Sequence, residues 1–200
     1  TALHTSPWFP FTKPSSQARA RLFCIPYAGG SASVYRALGE LLPADIDVCP
    51  IEIPGRATRV SEQPFTHARL LATAIAQGIK PFLDRPYALF GYSLGALLAF
   101  EVVRQFRRKQ RPLPMHLLVA ARHAVHLPSP HPTRYLGTDE ALINELHHLG
   151  GTPKEVLDNQ DLLRFLLPSL RAALAAAARL SRSTRSAHAC GNSLTSAAPK

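Results

Sequence analysis

The stretch Tyr87-Ala88-Leu89-Phe90-Gly91-Tyr92-Ser93-Leu94-Gly95-Ala96-Leu97-Leu98 decides how the rest of the chain is read. An apolar run, Tyr87 to Phe90, precedes it as a buried strand. An apolar-periodic run, Ala96 to Val103, follows it as a helix. Between them lies Gly91-x-Ser93-x-Gly95, a strand-to-helix turn with a serine at its tip. Such a turn strains the serine backbone and crowds the positions two residues to either side, where glycine relieves the crowding. It lifts the serine Oγ off the sheet and sets the first N–H groups of the following helix where negative charge can develop. Ser93 is therefore the candidate nucleophile and the Leu94 N–H a candidate oxyanion donor.

Moving back along the chain, Arg21-Leu22-Phe23-Cys24-Ile25-Pro26 reads as a buried strand that runs into Tyr27-Ala28-Gly29-Gly30-Ser31. A glycine pair there lets backbone N–H groups approach a ligand. The loop after this strand supplies the second oxyanion donor when the serine motif belongs to an α/β-hydrolase. Ala28 is the expected donor, with Gly29 as the alternative. Val34 to Leu42 reads as a short amphipathic helix ended by Pro43, and Ile46 to Ile53 as a second strand. Thr66 is a candidate cap for a helix through Phe82. Met115 to Ala121 is a fourth strand, after Pro112 and Pro114. Strands alternating with helices imply a parallel sheet, with Ser93 at a carboxyl end, where such sheets bind ligands. From Thr138 the pattern turns helical, in position to form a lid over Ser93.

Two hundred residues suffice for one α/β domain with a real core. No run is long enough to cross a bilayer and the first twenty residues hold no apolar leader. Cys24 and Cys49 fall in apolar runs and Cys190 lies far off, so buried free thiols in a reducing cytoplasm are expected. The net charge of +10 divides unevenly: residues 172–200 hold Arg179, Arg182, Arg185 and Lys200 with no acid, which leaves +6 for residues 1–171. Arg104, Arg107, Arg108, Lys109 and Arg111 cluster at the end of the helix after Ser93, where cations suit the helix dipole. A solvated helix end or an acidic protein partner accounts for them. Nucleic acid does not, because no aromatic interleaving or motif accompanies the run. The His-rich residues 122–137 lack a metal-ligand spacing, so neither a metal nor another cofactor is expected.

The motifs together resemble those of type II thioesterases, the free-standing thioesterases of nonribosomal peptide and polyketide synthases. The similarity runs from about Trp8 to Arg171. It is carried by Leu22 to Ala32, by Ile53-Pro54-Gly55-Arg56, by Leu89 to Gly95, by Leu149-Gly150-Gly151-Thr152-Pro153 and by Leu167-Pro168-Ser169-Leu170-Arg171-Ala172. The resemblance implies an α/β-hydrolase fold, here an incomplete parallel sheet of about four strands with a helical lid. It implies hydrolysis of acyl thioesters on acyl-carrier or peptidyl-carrier domains bearing phosphopantetheine, to clear stalled or misprimed synthases in antibiotic biosynthesis, with no nucleic acid or membrane as partner. The domain boundaries expected on this basis are a lead-in over 1–19, the thioesterase domain over 20–171 with a lid at about 122–167, and a tail over 172–200 of different character.

Beyond Ala172 the family pattern is not followed, and neither a triad acid nor a triad base is identifiable. His188 stands in a foreign context, Ala187-His188-Ala189-Cys190, and the acid-free tail reads as translation in a shifted frame. The expectation is impaired turnover, low stability, and a fourth strand and post-serine helix less covered than usual. A non-catalytic remnant that still binds carrier proteins and a small-ester serine hydrolase are the alternatives.

Overall fold

A computed structural model of the chain describes residues 3–124, 136–149 and, within 157–175, all but 162, 165, 169 and 173. Among these residues four strands form one sheet: β1 (Ala20–Ile25), β2 (Ile46–Pro50), β3 (Tyr87–Tyr92) and β4 (His116–Ala120). The sheet order is β2-β1-β3-β4, and every pairing is parallel. The helices are α1 (Leu38–Leu41), α2 (Ala68–Ile79), α3 (Leu94–Arg108) and α4 (Asp139–Leu149). Strand and helix alternate as the sequence pattern requires for a parallel α/β sheet.

β1 and β2 each bury four residues and β3 three. Phe23, Cys24, Ile25 and Leu89 have no exposure, and neither do Leu97, Leu98, Ala99 and Val102 on the facing side of α3. α2 adds Leu71, Ala72, Ile75 and Ile79 to the same core. The lead-in before β1 belongs to this core as well. The Phe9 ring packs 5.6 Å from Phe23 and 5.2 Å from Phe82. Trp8 lies against Gly78, where a Cβ would come within 2.6 Å of the indole.

Among the described residues β4 is one edge of the sheet, with Leu118 47% and Val119 56% exposed, as anticipated for this strand. The matching expectation for the helix after Ser93 is not met, because α2, β3 and β4 together cover the apolar face of α3.

Three local readings are corrected. The single helix expected over Val34 to Leu42 is a 3-10 turn at Ala32–Tyr35 followed by the four-residue α1. Ser31 Oγ accepts from Ser33 N, which starts the helical turn earlier than the apolar pattern suggested. Thr66 does not cap α2: its hydroxyl bonds His67 Nδ1 at 3.0 Å, and His67 occupies the N-cap position without a side-chain cap. α2 also stops at Ile79 and tightens to a 3-10 turn, Lys80–Phe82, where Pro81 cannot donate to the helix ladder.

Candidate active site

Ser93 sits between β3 and α3 with φ 54° and ψ −108°, a conformation that costs a non-glycine residue roughly 1–3 kcal/mol. The surroundings hold it there. Ser93 N–H donates to Ala120 O at 2.9 Å, which ties the turn to the end of β4. A Cβ at Gly91 would lie 2.2 Å from Gly95 O, and one at Gly95 would lie 2.1 Å from Ile25 O. The first turn of α3 therefore presses directly on the backbone of β1 and β3, and only glycine permits this at both positions. Leu94, the first residue of α3, is buried, and its N–H belongs to the helix end whose donors lack intrahelical partners. Among the described residues no histidine or carboxylate is hydrogen-bonded to Ser93 Oγ.

β1 and β3 are neighbours, with Ile25 opposite Gly91. The chain leaves β1 toward β2 on one side and returns as β3 on the other, so the crevice between the ends of β1 and β3 is the switch point where open α/β sheets bind ligands. The loop after β1 enters that crevice. Gly30 N–H donates to Tyr27 O at 3.0 Å, and Gly29 takes φ +88° at the third position of the turn, which favours glycine. Ala28 is half-buried between Tyr27 and Gly29. The structure thus brings the Ala28 loop and the Ser93 turn side by side, bridged by an edge-to-face contact of Tyr27 and Tyr92.

The helical residues after Thr138 reach the same place. Thr138 Oγ1 accepts from Ala141 N and caps α4, as its position suggested. Leu142, Leu167 and Leu170 form a second apolar cluster against which Ala28 packs. The Leu170 methyl lies where it would contact a Cβ at Gly29, at 3.5 Å. Leu142 and Leu167, in the described part of the expected lid, therefore pack on the Ala28 side of the crevice together with Leu170. The stretch Gly150 to Pro153 and most of the His-rich segment lie outside the described residues, as do His188 and Cys190. Among the described residues no group of three or more potential ligands could hold a metal.

Other candidate features fall elsewhere. Cys24 and Cys49 are free and buried, and burial pushes both thiols up, Cys49 to about 12, which leaves them unreactive. In the basic cluster, Arg104 and Arg108 pair with the fully buried Glu101 at 3.0 and 3.1 Å. A cavity of about 310 Å³ lined by Lys80, Lys109 and Arg111 lies near the C-terminal end of α3, opposite to the end that bears Ser93.

Sequence reasoning missed one group altogether. Glu52, just after β2, has no exposure. Its Oε1 accepts from Ala32 N at 3.4 Å, and its Oε2 has no hydrogen-bond partner. Burial pushes its carboxyl up to about 7, against the pull of the Ala32 and Ile53 N–H groups and of Arg59 and Arg56. Arg59 donates to the Glu52 carbonyl at 3.0 Å, holds Glu62 through two nitrogens, and stacks 4.3 Å over Trp8. The signal in the sequence is a lone acid between Ile51 and Ile53, followed at short range by Arg56 and Arg59.

A thioesterase domain model matches residues 20–197. The chain is 42% identical over 165 residues to the gramicidin S biosynthesis protein GrsT of Aneurinibacillus migulanus, covering 82% of this chain and 64% of that protein. The structure of the RedJ thioesterase from the prodiginine biosynthetic pathway of Streptomyces coelicolor superposes with a TM-score of 0.78 at 36% identity, covering 90% of this chain and 73% of that one. YbtT, described as a type II thioesterase from the yersiniabactin pathway, superposes with a TM-score of 0.74 at 31% identity, covering 84% and 68%. The chain spans about two thirds of the length of these relatives (64% of GrsT, 68% of YbtT). These superpositions bear out the α/β-hydrolase reading of the sheet.

Proposed function

Because the chain belongs to the thioesterase family, we propose that it hydrolyses acyl thioesters on the phosphopantetheine arms of carrier domains, with Ser93 as nucleophile. The work suited to such an enzyme is the release of stalled or wrong acyl groups from nonribosomal peptide and polyketide synthases. The observation that carries the reading is the strained Ser93 at the switch point of the sheet, with the Ala28 loop beside it.

In this reading the Ser93 hydroxyl gives its proton to a general base as Oγ attacks the thioester carbonyl. The N–H groups of Leu94 and Ala28 receive the oxyanion. The pantetheine thiol leaves with a proton, and water then attacks the acyl-serine ester to release the acid and restore Ser93. The helices that cover Ala28 limit water access and line the path of the acyl chain. The basic end of α3 is a poor carrier-docking face. Two of its arginines are committed to Glu101, and fifteen residues of helix place it about 22 Å from Ser93.

The test combines covalent trapping with turnover. A fluorophosphonate probe should label Ser93, read by peptide mass spectrometry, and Ser93→Ala should abolish labelling. Acyl-pantetheine should be hydrolysed in preference to an oxygen ester of the same acyl group. Labelling of another residue, or preference for the oxygen ester, overturns the assignment.

No helix among the described residues is long and apolar enough to cross a membrane.

A further inference from the structure

Glu52 lies outside the crevice, yet its side chain reaches the segment that forms one wall of it. The loop from Pro26 to Ser31 is fixed at both ends. At its start, Tyr35 Oη donates to Ile25 O at 3.2 Å, the same carbonyl on which Gly95 of α3 presses. At its end, Ala32 N–H donates to Glu52 Oε1. Within it, the Gly30 N–H to Tyr27 O bond closes the turn that presents Ala28. Backbone displacement at Ala32 is separated from Ala28 by only four peptide units, two of them at Gly29 and Gly30, where the chain itself offers least resistance.

We infer that Glu52 is a positioning residue for the oxyanion loop: its buried carboxylate anchors Ala32 N–H and so fixes the loop that aims Ala28 N–H beside Ser93. The inference rests on the thioesterase reading for its catalytic consequence, but not for its structural one. Two facts distinguish this carboxylate from an ordinary core contact. It is fully buried, and one of its oxygens has no hydrogen-bond partner. A hydrogen bond to an ionised acceptor is about twice as strong as one to a neutral acceptor. The anchor, 3.4 Å long, is therefore stronger while Glu52 is ionised than when it is protonated, and the raised carboxyl places that change close to neutral pH.

The experiment compares Glu52→Gln, which keeps an oxygen acceptor, with Glu52→Leu, which has a similar size and no acceptor. Amide hydrogen exchange is followed in residues 26–33 and, as reference, in β1 and β3. Hydrolysis of acyl-pantetheine is measured alongside. Glu52→Leu should speed exchange in 26–33 by about tenfold, the equivalent of one hydrogen bond, and leave β1 and β3 unchanged. It should lower kcat with little change in KM, because the oxyanion forms only in the transition state. Glu52→Gln, a neutral acceptor, should restore both in part. Unchanged exchange in 26–33, or an equal rise throughout the sheet, overturns the inference. If Glu52→Leu does not fold, the wild type and Glu52→Gln decide. After correction for intrinsic rates, the wild-type loop should open more readily at pH 6 than at pH 8, and the Gln variant should not; a flat wild-type profile overturns the inference. Exchange needs no turnover, so a wild type that fails to hydrolyse thioester counts against the thioesterase reading alone.

Discussion

The rings of Tyr27 and Tyr92 meet edge to face, 6.0 Å between centroids and 70° between planes. One ring precedes Ala28 and the other precedes Ser93, so the contact joins the two loops that the proposed mechanism places on one carbonyl. Edge-to-face pairs contribute about 0.5–1.5 kcal/mol beyond the area they bury. A double-mutant cycle with Tyr27→Ala and Tyr92→Ala should return a coupling of that size in urea unfolding. Each single change should also slow fluorophosphonate labelling of Ser93. Additive single effects on stability, with labelling unaffected, would show that the rings touch without holding the loops together.

The glycines at the serine turn differ in kind from those elsewhere. A methyl at Gly91 or Gly95 meets backbone atoms that cannot move aside. Gly91→Ala and Gly95→Ala should each destabilise by roughly 4 kcal/mol or more, the range reached by core overpacking combined with backbone displacement. Gly39 is the control. It lies inside α1, and a Cβ there would meet nothing closer than Val48 at 3.8 Å. Gly39→Ala should stabilise by about 0.5–1 kcal/mol. Chemical denaturation of the three variants distinguishes close approach from helix propensity.

How much of this was legible in the sequence depends on the range of the interaction. The serine turn could be read because most of its constraints are local: strain at Ser93 and the contact of Gly91 with Gly95 arise within five residues, and the flanking apolar runs reveal the strand and helix; the contact of Gly95 with Ile25 of β1 appears only in the fold. The parallel sheet followed from the alternation of elements. Glu52 was hidden because the partner of its side chain, Ala32 N–H, reaches it only when β2 lies beside β1. In the apolar run Cys49 to Ile53 it reads as one more strand position. Thr66 misled for a related reason: its hydroxyl found the neighbouring imidazole instead of the helix N–H groups. Glu101, on the helix after the serine, gave no sign of being fully buried, since two nearby arginines are what make that burial tolerable.

That triad predicts an asymmetry. Arg104 is 29% and Arg108 56% exposed at the side chain, whereas Glu101 has no exposure. Removing both arginines strands a buried carboxylate, and Arg104→Ala with Arg108→Ala should cost about 3–5 kcal/mol. Glu101→Leu leaves two arginines that can turn to water, so it should cost much less and can be neutral. Urea midpoints for the two variants give the comparison. Equal losses would mean that Glu101 is stabilised by something other than its ion pairs.

Glu52 gives stability a pH dependence of unusual sign for an acid. Its folded carboxyl is raised to about 7, above the ordinary value, so folding disfavours its ionised form. The stability associated with the neutral acid is fully present below about pH 4.5 and is lost as pH rises through about 7. A shift of this size corresponds to something on the order of 3 kcal/mol at alkaline pH. Asp84 and Glu62 act in the opposite direction. Hydrogen bonds from Arg21 and Arg59 hold their carboxyls low, so their contributions fade as pH falls. The wild-type profile therefore mixes both signs, and the difference between wild type and Glu52→Gln isolates one group. Glu52→Gln should be nearly as stable as wild type at pH 4.5, progressively more stable as pH rises to about 7, and more stable by a constant amount above that, measured by urea unfolding at each pH. A difference that is constant with pH would mean that Glu52 titrates alike in the folded and unfolded chain. Its orphaned oxygen would then have to be solvated in the folded state.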